Sequence, residues 1–188
     1  MKKEAATSSV ILFFCFQPEG NNLLQQARKN IALNKTVLMS GGALIGNSFI
    51  EAVGNDAKGM YFIGPVRPAG PGVDQMDAVY EKKYGEKASV SYYLNGYDAA
   101  NLLFHAIEQT AMREQNGTLH IGRQKLRDTL HGIKTFKGVT GTLPCDQFGD
   151  CGQPAFKVLQ LLDPSQGAVG LESNIIYNYL PDTSKRAN

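Results

Sequence analysis

The sequence predicts an α/β fold: a parallel β-sheet with helices packed against it. Three short apolar runs, residues 10–16, 37–39 and 60–63, alternate with two segments whose apolar residues have helical spacing. Such runs are typical of strands buried on both faces of a parallel sheet. A strand–helix–strand unit of this length is normally a right-handed crossover between parallel strands. We therefore expect the order β-α-β-α-β from Val10 to Ile63.

Composition places the chain among globular proteins. It has 188 residues, of which 43% are hydrophobic and 19% are charged, and its formal net charge is +2. This length suits one ordinary domain or two small lobes. There is no dense basic block, so the charge pattern does not indicate nucleic-acid binding. No apolar run approaches the roughly 20 residues that a membrane-spanning helix needs.

The N-terminal segment shares some features with a secretory signal. Lys2 and Lys3 precede the first apolar run, but Glu4 interrupts the basic region and Phe14 is too large to precede a cleavage site. We therefore expect residues 10–16 to be a buried strand rather than a signal peptide.

Two helices connect the first three strands. The first is expected over residues 21–30. The second is expected to be capped by Asn47 or Ser48, with Glu51 closing a capping box, and to end at Gly54. The third strand ends at Gly64 and Pro65, because proline cannot donate to a strand ladder.

The remainder of the chain divides at a segment rich in proline and glycine, residues 66–73, which we interpret as a hinge or connector. Helices are expected over residues 75–84, 97–112 and about 122–130, and strands over 136–142, 155–162 and 175–179. We therefore divide the chain into a sheet lobe (10–65), a hinge with a mostly helical part (66–150), and strands that return to the first lobe (151–180).

The first place to expect a ligand is the end of the second strand. Ser40, Gly41 and Gly42 follow that strand, and ligands of open α/β sheets sit at the carboxyl ends of the strands. The glycines do not have the G-x-G-x-x-G spacing of a dinucleotide site, and no acidic residue ends the following strand. They are better interpreted as allowing close approach of the backbone or a tight turn.

No catalytic or metal-binding pattern stands out. His105 and Glu108 have metal-ligand spacing on a helix, but no third ligand is suitably placed. There is no G-x-S-x-G motif, and Cys15 lies inside an apolar run. We expect no enzyme activity, no cofactor and no metal; a small cytosolic α/β enzyme is the less favoured alternative.

Cys145 and Cys151 are separated by a short segment that contains Gly149, so their Cα atoms can come within bonding distance. We favour a disulfide, worth roughly 2 kcal/mol in the loop-entropy description, over two free thiols. A disulfide indicates an oxidising compartment. Tyr92, Tyr93 and Tyr97 cluster before the long helix, where they either line a ligand pocket or fill a core.

Six runs carry a family resemblance. In chain order they are PEGNNLLQQAR, LMSGGALIGNSFIEAVG, GMYFIGP, YEKKYGE, GYDAANLLFHAIEQTA and TGTLPCDQFGDCG. The chain, from about residue 10 to 179, resembles the extracytoplasmic substrate-binding proteins of branched-chain amino acid ABC transporters, which are type I periplasmic binding proteins. The resemblance covers only the later part of such a protein: one nearly complete lobe, called lobe II in this family, and part of the other.

The resemblance implies a two-lobed protein that closes on an amino acid or a similar solute and delivers it to ABC permease subunits outside the cytoplasm. The family's ligand-binding aromatic residue falls on Phe16. The family's acidic residue, which pairs with the ligand's ammonium group, falls on Gly42, so the carboxylate is missing. Tyr92 falls where an aromatic residue contacts the ligand side chain. The expected ligand contacts are Phe16, Gln17, Ser40, Gly41, Gly42, Tyr92 and Tyr93.

Further expectations concern the ligand, the alternative function and the apolar helix faces. The missing acid means either that the ligand is not a zwitterionic amino acid or that this copy has lost its function. A ligand-sensing receptor domain of the same fold is the main alternative. In the segment 76–130, we also expect apolar helix faces with no sheet to cover them, including those of Leu102, Leu103, Phe104, Ile107 and Leu126.

Overall fold

The structure is a computed structural model that describes residues 10–88, 90–152 and 154–180. These residues form two compact units. The sheet unit contains residues 10–66 and 154–180, and the helical unit contains residues 67–152. No helix of the described ranges is both long enough and apolar enough to cross a membrane.

The sheet unit is built on five strands in the order β1-β2-β3-β8-β9. The first three run parallel, as predicted: β1 (Val10–Phe13), β2 (Val37–Ser40) and β3 (Tyr61–Pro65). The last two, β8 (Phe156–Gln160) and β9 (Ile175–Tyr179), are antiparallel to their neighbours, so the prediction of a wholly parallel sheet is wrong for them.

The reversal at β8 has a simple geometric cause. Pro65 at the end of β3 pairs with Phe156 at the start of β8, and Val66 N donates to Ala155 O at 3.1 Å. The chain therefore returns to the sheet at the same end at which it leaves. A strand that starts beside the end of its neighbour must run antiparallel to it.

Three helices cover one face of this sheet: α1 (Glu19–Lys29), α2 (Asn47–Val53) and α6 (Gly167–Ser173). Their apolar side chains form a single core with the inward-facing strand residues, and the rings of Phe49 and Phe62 meet edge to face at 6.0 Å. Burying large apolar side chains is the main stabilising contribution to such a unit. The fully buried members include Leu24, Phe49, Ile50, Met60, Phe62, Leu159, Leu161 and Leu171.

The opposite face of the sheet is open. Val10 is 51% exposed, Leu12 47% and Tyr177 54%, although all three are apolar or aromatic. The expectation of a first strand buried on both faces is therefore wrong. The strand also ends at Phe13 rather than at residue 16. It lies at the edge of the sheet, where it has one neighbouring strand, and the three helices that pack on this sheet cover only its other face.

The predicted capping box on α2 is also wrong. The residue before the helix is Gly46, and it provides no side-chain cap. The side chains of Asn47 and Ser48 make long-range hydrogen bonds instead. Asn47 Oδ1 accepts from Ala168 N at 2.8 Å, and Ser48 Oγ accepts from Gln17 Nε2 at 3.0 Å. These residues therefore tie α2 to other elements.

The helical unit contains α3 (Pro71–Tyr84), α4 (Tyr92–Thr110) and α5 (Arg123–Gly132). Two short hairpins accompany them: β4 (Met112–Arg113) with β5 (Leu119–His120), and β6 (Phe136–Gly138) with β7 (Gly141–Leu143). The single strand predicted over residues 136–142 is thus a hairpin. Gly141 has φ +124°, a conformation that favours glycine, and so permits the reversal.

The core of the helical unit lies between α4 and α5. Leu102, Ala106, Ile133 and Cys145 are buried there, and Leu126 packs against them. The expectation that the Leu102 and Leu126 faces lack cover is therefore wrong, because the two helices cover one another. The neighbouring residues on α4 do remain open: Leu103 is 40% exposed and Phe104 is 58% exposed.

The predicted disulfide between Cys145 and Cys151 is confirmed. Asp146 closes the loop between the two cysteines. Its backbone N–H donates to Asp150 O at 2.9 Å, and its Oδ1 accepts from the N–H groups of Phe148 and Asp150 at 2.8 and 3.0 Å. Among the described residues, Cys15 is the free cysteine.

Candidate functional site

The predicted ligand contacts belong to both units. Five of them lie in the sheet unit: Phe16 and Gln17 follow β1, Ser40 ends β2, and Gly41 and Gly42 follow it. Tyr92 and Tyr93, by contrast, begin α4 in the helical unit. The two sets are described separately below.

In the sheet unit, the loops after β1 and β2 lie against each other. A Cβ atom on Gly41 would be 2.4 Å from Cδ1 of Phe14, so this close approach requires glycine. Gln17 Nε2 also donates to Ser48 Oγ at 3.0 Å, which ties the loop after β1 to the first turn of α2. The two carboxyl ends therefore form one continuous edge, which we call the β1/β2 edge (residues 14–18 and 41–46).

Two aromatic rings dominate the surface of this edge. Phe16 is 75% exposed and Phe14 is 71% exposed. The sequence analysis identified Phe16 but missed Phe14, which it placed inside a buried strand. No sequence signal marks Phe14, because β1 ends at Phe13 and the period-two alternation of strand side chains does not extend to residue 14.

Ser40 lies beneath this surface. It is fully buried, and its Oγ donates to the backbone oxygen of Gly41 at 3.2 Å. The hydroxyl is therefore engaged in holding the loop. Gly42 is half-buried and starts a short 3₁₀ turn, Gly42–Leu44. Its φ is not in the left-handed region, so a side chain is compatible with its backbone.

The β1/β2 edge contains no acidic or basic side chain. Within the edge, Cys15 is half-buried, and immediately after it Glu19 begins α1. Burial raises the pKa of the Cys15 thiol, and the nearby charge of Glu19 raises it further. Also on α1, the buried Oδ1 of Asn21 accepts no hydrogen bond from the described residues. Sequence reasoning missed this oxygen, since no motif marks it.

The two tyrosines of the helical unit differ from one another. The hydroxyl of Tyr93 donates to Asp77 Oδ1, and Arg67 Nη2 lies 2.5 Å from Asp77 Oδ2. The Tyr93 ring also lies 5.0 Å from that of Tyr80, so this side chain is engaged within its own unit. Tyr92 is 45% exposed, and its partial burial raises the pKa of its hydroxyl.

In the described ranges, no three His, Cys, Asp or Glu side chains are grouped so that they could hold a metal ion. The His105 and Glu108 pair does not form a site: His105 Nε2 lies 2.7 Å from Gln109 Nε2, and the His105 ring packs near Phe136.

Two cavities are lined by described residues of the helical unit. The first, about 650 Å³, lies between α4, the start of α3 and the β6–β7 hairpin, and Tyr97, Phe104, His105 and Glu108 are among its lining residues. The second, about 640 Å³, lies between α4, α5 and the disulfide loop. Both have the size of typical small-molecule sites.

In this architecture the carboxyl ends of parallel strands form one edge, and a second unit is inserted in the sequence between β3 and β8. It is the architecture of a type I periplasmic binding protein. The chain belongs to the periplasmic binding protein family, whose sequence model matches residues 2–156. The resemblance found in the sequence is therefore confirmed. Among curated proteins, none matches the chain significantly.

Solved structures share the fold. A leucine-binding protein from Thermotoga maritima superposes with a TM-score of 0.66 at 22% identity, covering 93% of this chain and 45% of that one. An extracellular ligand-binding receptor from Rhodopseudomonas palustris gives 0.61 at 15% identity, covering 86% and 47%. A solute-binding protein from R. palustris in complex with benzoate gives 0.56 at 14% identity, covering 84% and 42%. The chain therefore spans less than half the length of these relatives.

Proposed function

We propose that this chain is part of an extracytoplasmic solute-binding protein that captures a small polar solute, such as an amino-acid analogue, for uptake by an ABC transporter. The solute would contact Phe16 at the β1/β2 edge. Membership in the family and the exposed Phe16 ring at the carboxyl ends of parallel strands support this function. The Cys145–Cys151 disulfide supports a location outside the cytoplasm.

The observation that carries the ligand class is the absence of charge at this edge. A desolvated ammonium group needs a carboxylate partner, and its loss costs several kcal/mol. Gly42 stands where the resemblance places that carboxylate, and no other acid lies in residues 14–18 or 41–46. We therefore propose a solute that lacks a positively charged amino group and places an apolar or aromatic part against Phe14 and Phe16.

Calorimetric titration of the chain with a matched pair of ligands tests this proposal. Leucine and 2-hydroxyisocaproate share the same side chain and carboxylate, but the second has a hydroxyl in place of the ammonium group. We expect 2-hydroxyisocaproate to bind more tightly than leucine. Micromolar affinity for leucine, or no binding of either compound, would contradict the proposal.

A substitution at Gly42 makes the test specific. Gly42→Asp restores the acid at a half-buried position whose backbone accepts a side chain, so we expect it to reverse the preference toward leucine. Ala43→Asp is the matched control, because Ala43 is adjacent but exposed. Equal responses of the two variants would show that the charge at residue 42 does not select the ligand.

A second function with the same fold is a ligand-sensing receptor domain. One structural relative is described as an extracellular ligand-binding receptor. The two functions differ in partner rather than in the solute site, since one fold serves many functions. Genes for permease subunits beside the coding sequence would favour transport, whereas a gene for a membrane signalling protein would favour sensing.

A further inference from the structure

A groove in the helical unit combines an apolar floor with a basic wall. Its volume is about 640 Å³, and it lies between α4, α5 and the disulfide loop. The floor is made largely of Leu102, Leu126, Leu130, Leu143 and the Cys145–Cys151 disulfide. We call it the α4/α5 groove.

The basic wall is a stripe along one side of α5. Arg123, Arg127 and His131 are spaced four residues apart, so they follow one another along the same helix face. Leu126 and Leu130 directly precede Arg127 and His131 in the sequence and form part of the apolar floor. In the described ranges, no carboxylate lies within 4.0 Å of either arginine, so both guanidinium groups can bind a ligand.

The one acidic residue among those lining the groove is buried and hydrogen-bonded within its own unit. Asp98 is 2% exposed, and its carboxylate accepts hydrogen bonds from Val139 N and Thr140 N, both at 2.8 Å, and from Thr140 Oγ1 at 2.5 Å. Asp98 is therefore not exposed to a ligand, and the exposed charged groups at the groove are the guanidinium groups of Arg123 and Arg127 on α5.

We propose that the α4/α5 groove is a second ligand site, which binds an amphipathic monocarboxylate such as a medium-chain fatty acid. The alkyl chain lies on Leu102, Leu126 and Leu143, and the carboxylate pairs with Arg127 and Arg123. Arginine suits this role because its planar fork of N–H donors matches the two oxygens of a carboxylate. The site is separate from the β1/β2 edge and requires neither its residues nor its solute.

The first cavity of the helical unit does not select such a ligand. It contains Glu108 beside His105 and Lys137, so its rim carries both signs of charge. Of these two cavities, the α4/α5 groove is the one that pairs an apolar floor with arginines that have no carboxylate partner among the described residues. Charge complementarity therefore favours an anion here and excludes an amphipathic cation.

The test uses decanoate as the probe, below its micelle concentration, with decanol and decyltrimethylammonium as comparison ligands. We expect decanoate to bind, decanol to bind more weakly, and the cation not to bind.

Arg127→Gln should weaken decanoate binding by about tenfold, because it removes a charge-assisted pair. Lys125→Gln is the matched control, because Lys125 lies on the same helix outside the groove. Higher salt should weaken binding to the unsubstituted chain.

A second pair of variants tests the floor. Leu103 lines the groove and is 40% exposed, so Leu103→Asp should abolish decanoate binding while the chain still folds. Phe104→Asp is its control: Phe104 is 58% exposed on the same helix but does not line this groove. Chemical-shift changes on binding should appear at the methyl groups of Leu126 and Leu143.

Three outcomes would overturn the proposal: equal effects of Arg127→Gln and Lys125→Gln, decanol binding as tightly as decanoate, or shift changes located at the open sheet face around Val10 and Val37. Dimerisation that buries the groove without any fatty acid would overturn it as well. Gly42→Asp should leave decanoate binding unchanged, so this site and the proposed solute site can fail independently.

Discussion

Thr140 donates to Asp98 Oδ2 twice, from its backbone N–H at 2.8 Å and from its hydroxyl at 2.5 Å. Asp98 lies on α4 and Thr140 lies in the turn of the β6–β7 hairpin, so one buried carboxylate fixes the hairpin to the helix. Val139 N adds a third hydrogen bond at 2.8 Å.

We expect Asp98→Ala to destabilise the helical unit by about 3 kcal/mol, because it leaves two backbone N–H groups of the turn without their acceptor. Chemical denaturation measures the loss, and hydrogen exchange at Val139 and Thr140 should become faster. Asp150→Ala, at an exposed acid of the same unit, should change stability by less than about 0.5 kcal/mol. Slow exchange at both amides in Asp98→Ala would contradict this account.

The same contact explains Gly138. A Cβ atom there would be 2.3 Å from Asp98 Oδ2, so Gly138→Ala should displace the carboxylate and lower the melting temperature of the helical unit. Gly132→Ala provides the comparison. No atom lies within 4 Å of a Cβ at Gly132, the last residue of α5, and alanine is the better helix former. Equal melting temperatures for the two variants would show that Gly138 is not required.

The sheet unit contains one buried cation, Lys157, whose ammonium group donates to Glu172 on α6. Glu172→Ala leaves this ammonium without its carboxylate and should cost about 1–2 kcal/mol, since the glutamate is itself 42% exposed. Lys157→Met replaces the buried charge by an apolar group of similar length and should cost less. Denaturation curves of the two variants measure both losses of stability. A larger loss in Lys157→Met than in Glu172→Ala would refute this prediction.

Cys15 should react slowly with alkylating reagents. Burial, and then the charge of Glu19, raise the pKa of the thiol, which leaves less thiolate at pH 8 than in an exposed cysteine. The rate should rise as the pH increases through this elevated pKa. Glu19→Gln should increase the rate at pH 8, whereas Glu51→Gln, at an exposed acid on α2, should not. Equal rates in both variants would exclude Glu19 as a cause.

The parallel part of the sheet was predictable because strands β1, β2 and β3 carry short apolar runs joined by helices. The direction of β8 was not, since it depends on where the chain returns after residues 67–152, a long-range property that no local pattern encodes. Ser48 illustrates the same limit. It has the local pattern of a helix cap, but its hydroxyl oxygen accepts a hydrogen bond from Gln17, 31 residues away in the sequence.

The candidate site was likewise predictable from the sequence only in part. Strand ends and the family resemblance led to Phe16 and Gly42, whereas exposure alone revealed Phe14. The roles of the predicted ligand contacts remain predictions. The α4/α5 groove was not predictable at all, because its walls come from α4, α5 and the disulfide loop and meet only in the folded unit.

The antiparallel return of β8 has a consequence for the order of events at the ribosome. When β3 emerges it can pair with β2, but its other edge stays unpaired until residues 67–152 have been translated. Throughout that interval Phe62 lacks Leu159, and α6 has not yet been made. Unpaired strand edges and exposed apolar surface make such intermediates prone to aggregation. A premature stop shortly after Cys151 would make this state permanent, leaving β1, β2 and β3 without the strands and the helix that complete their core.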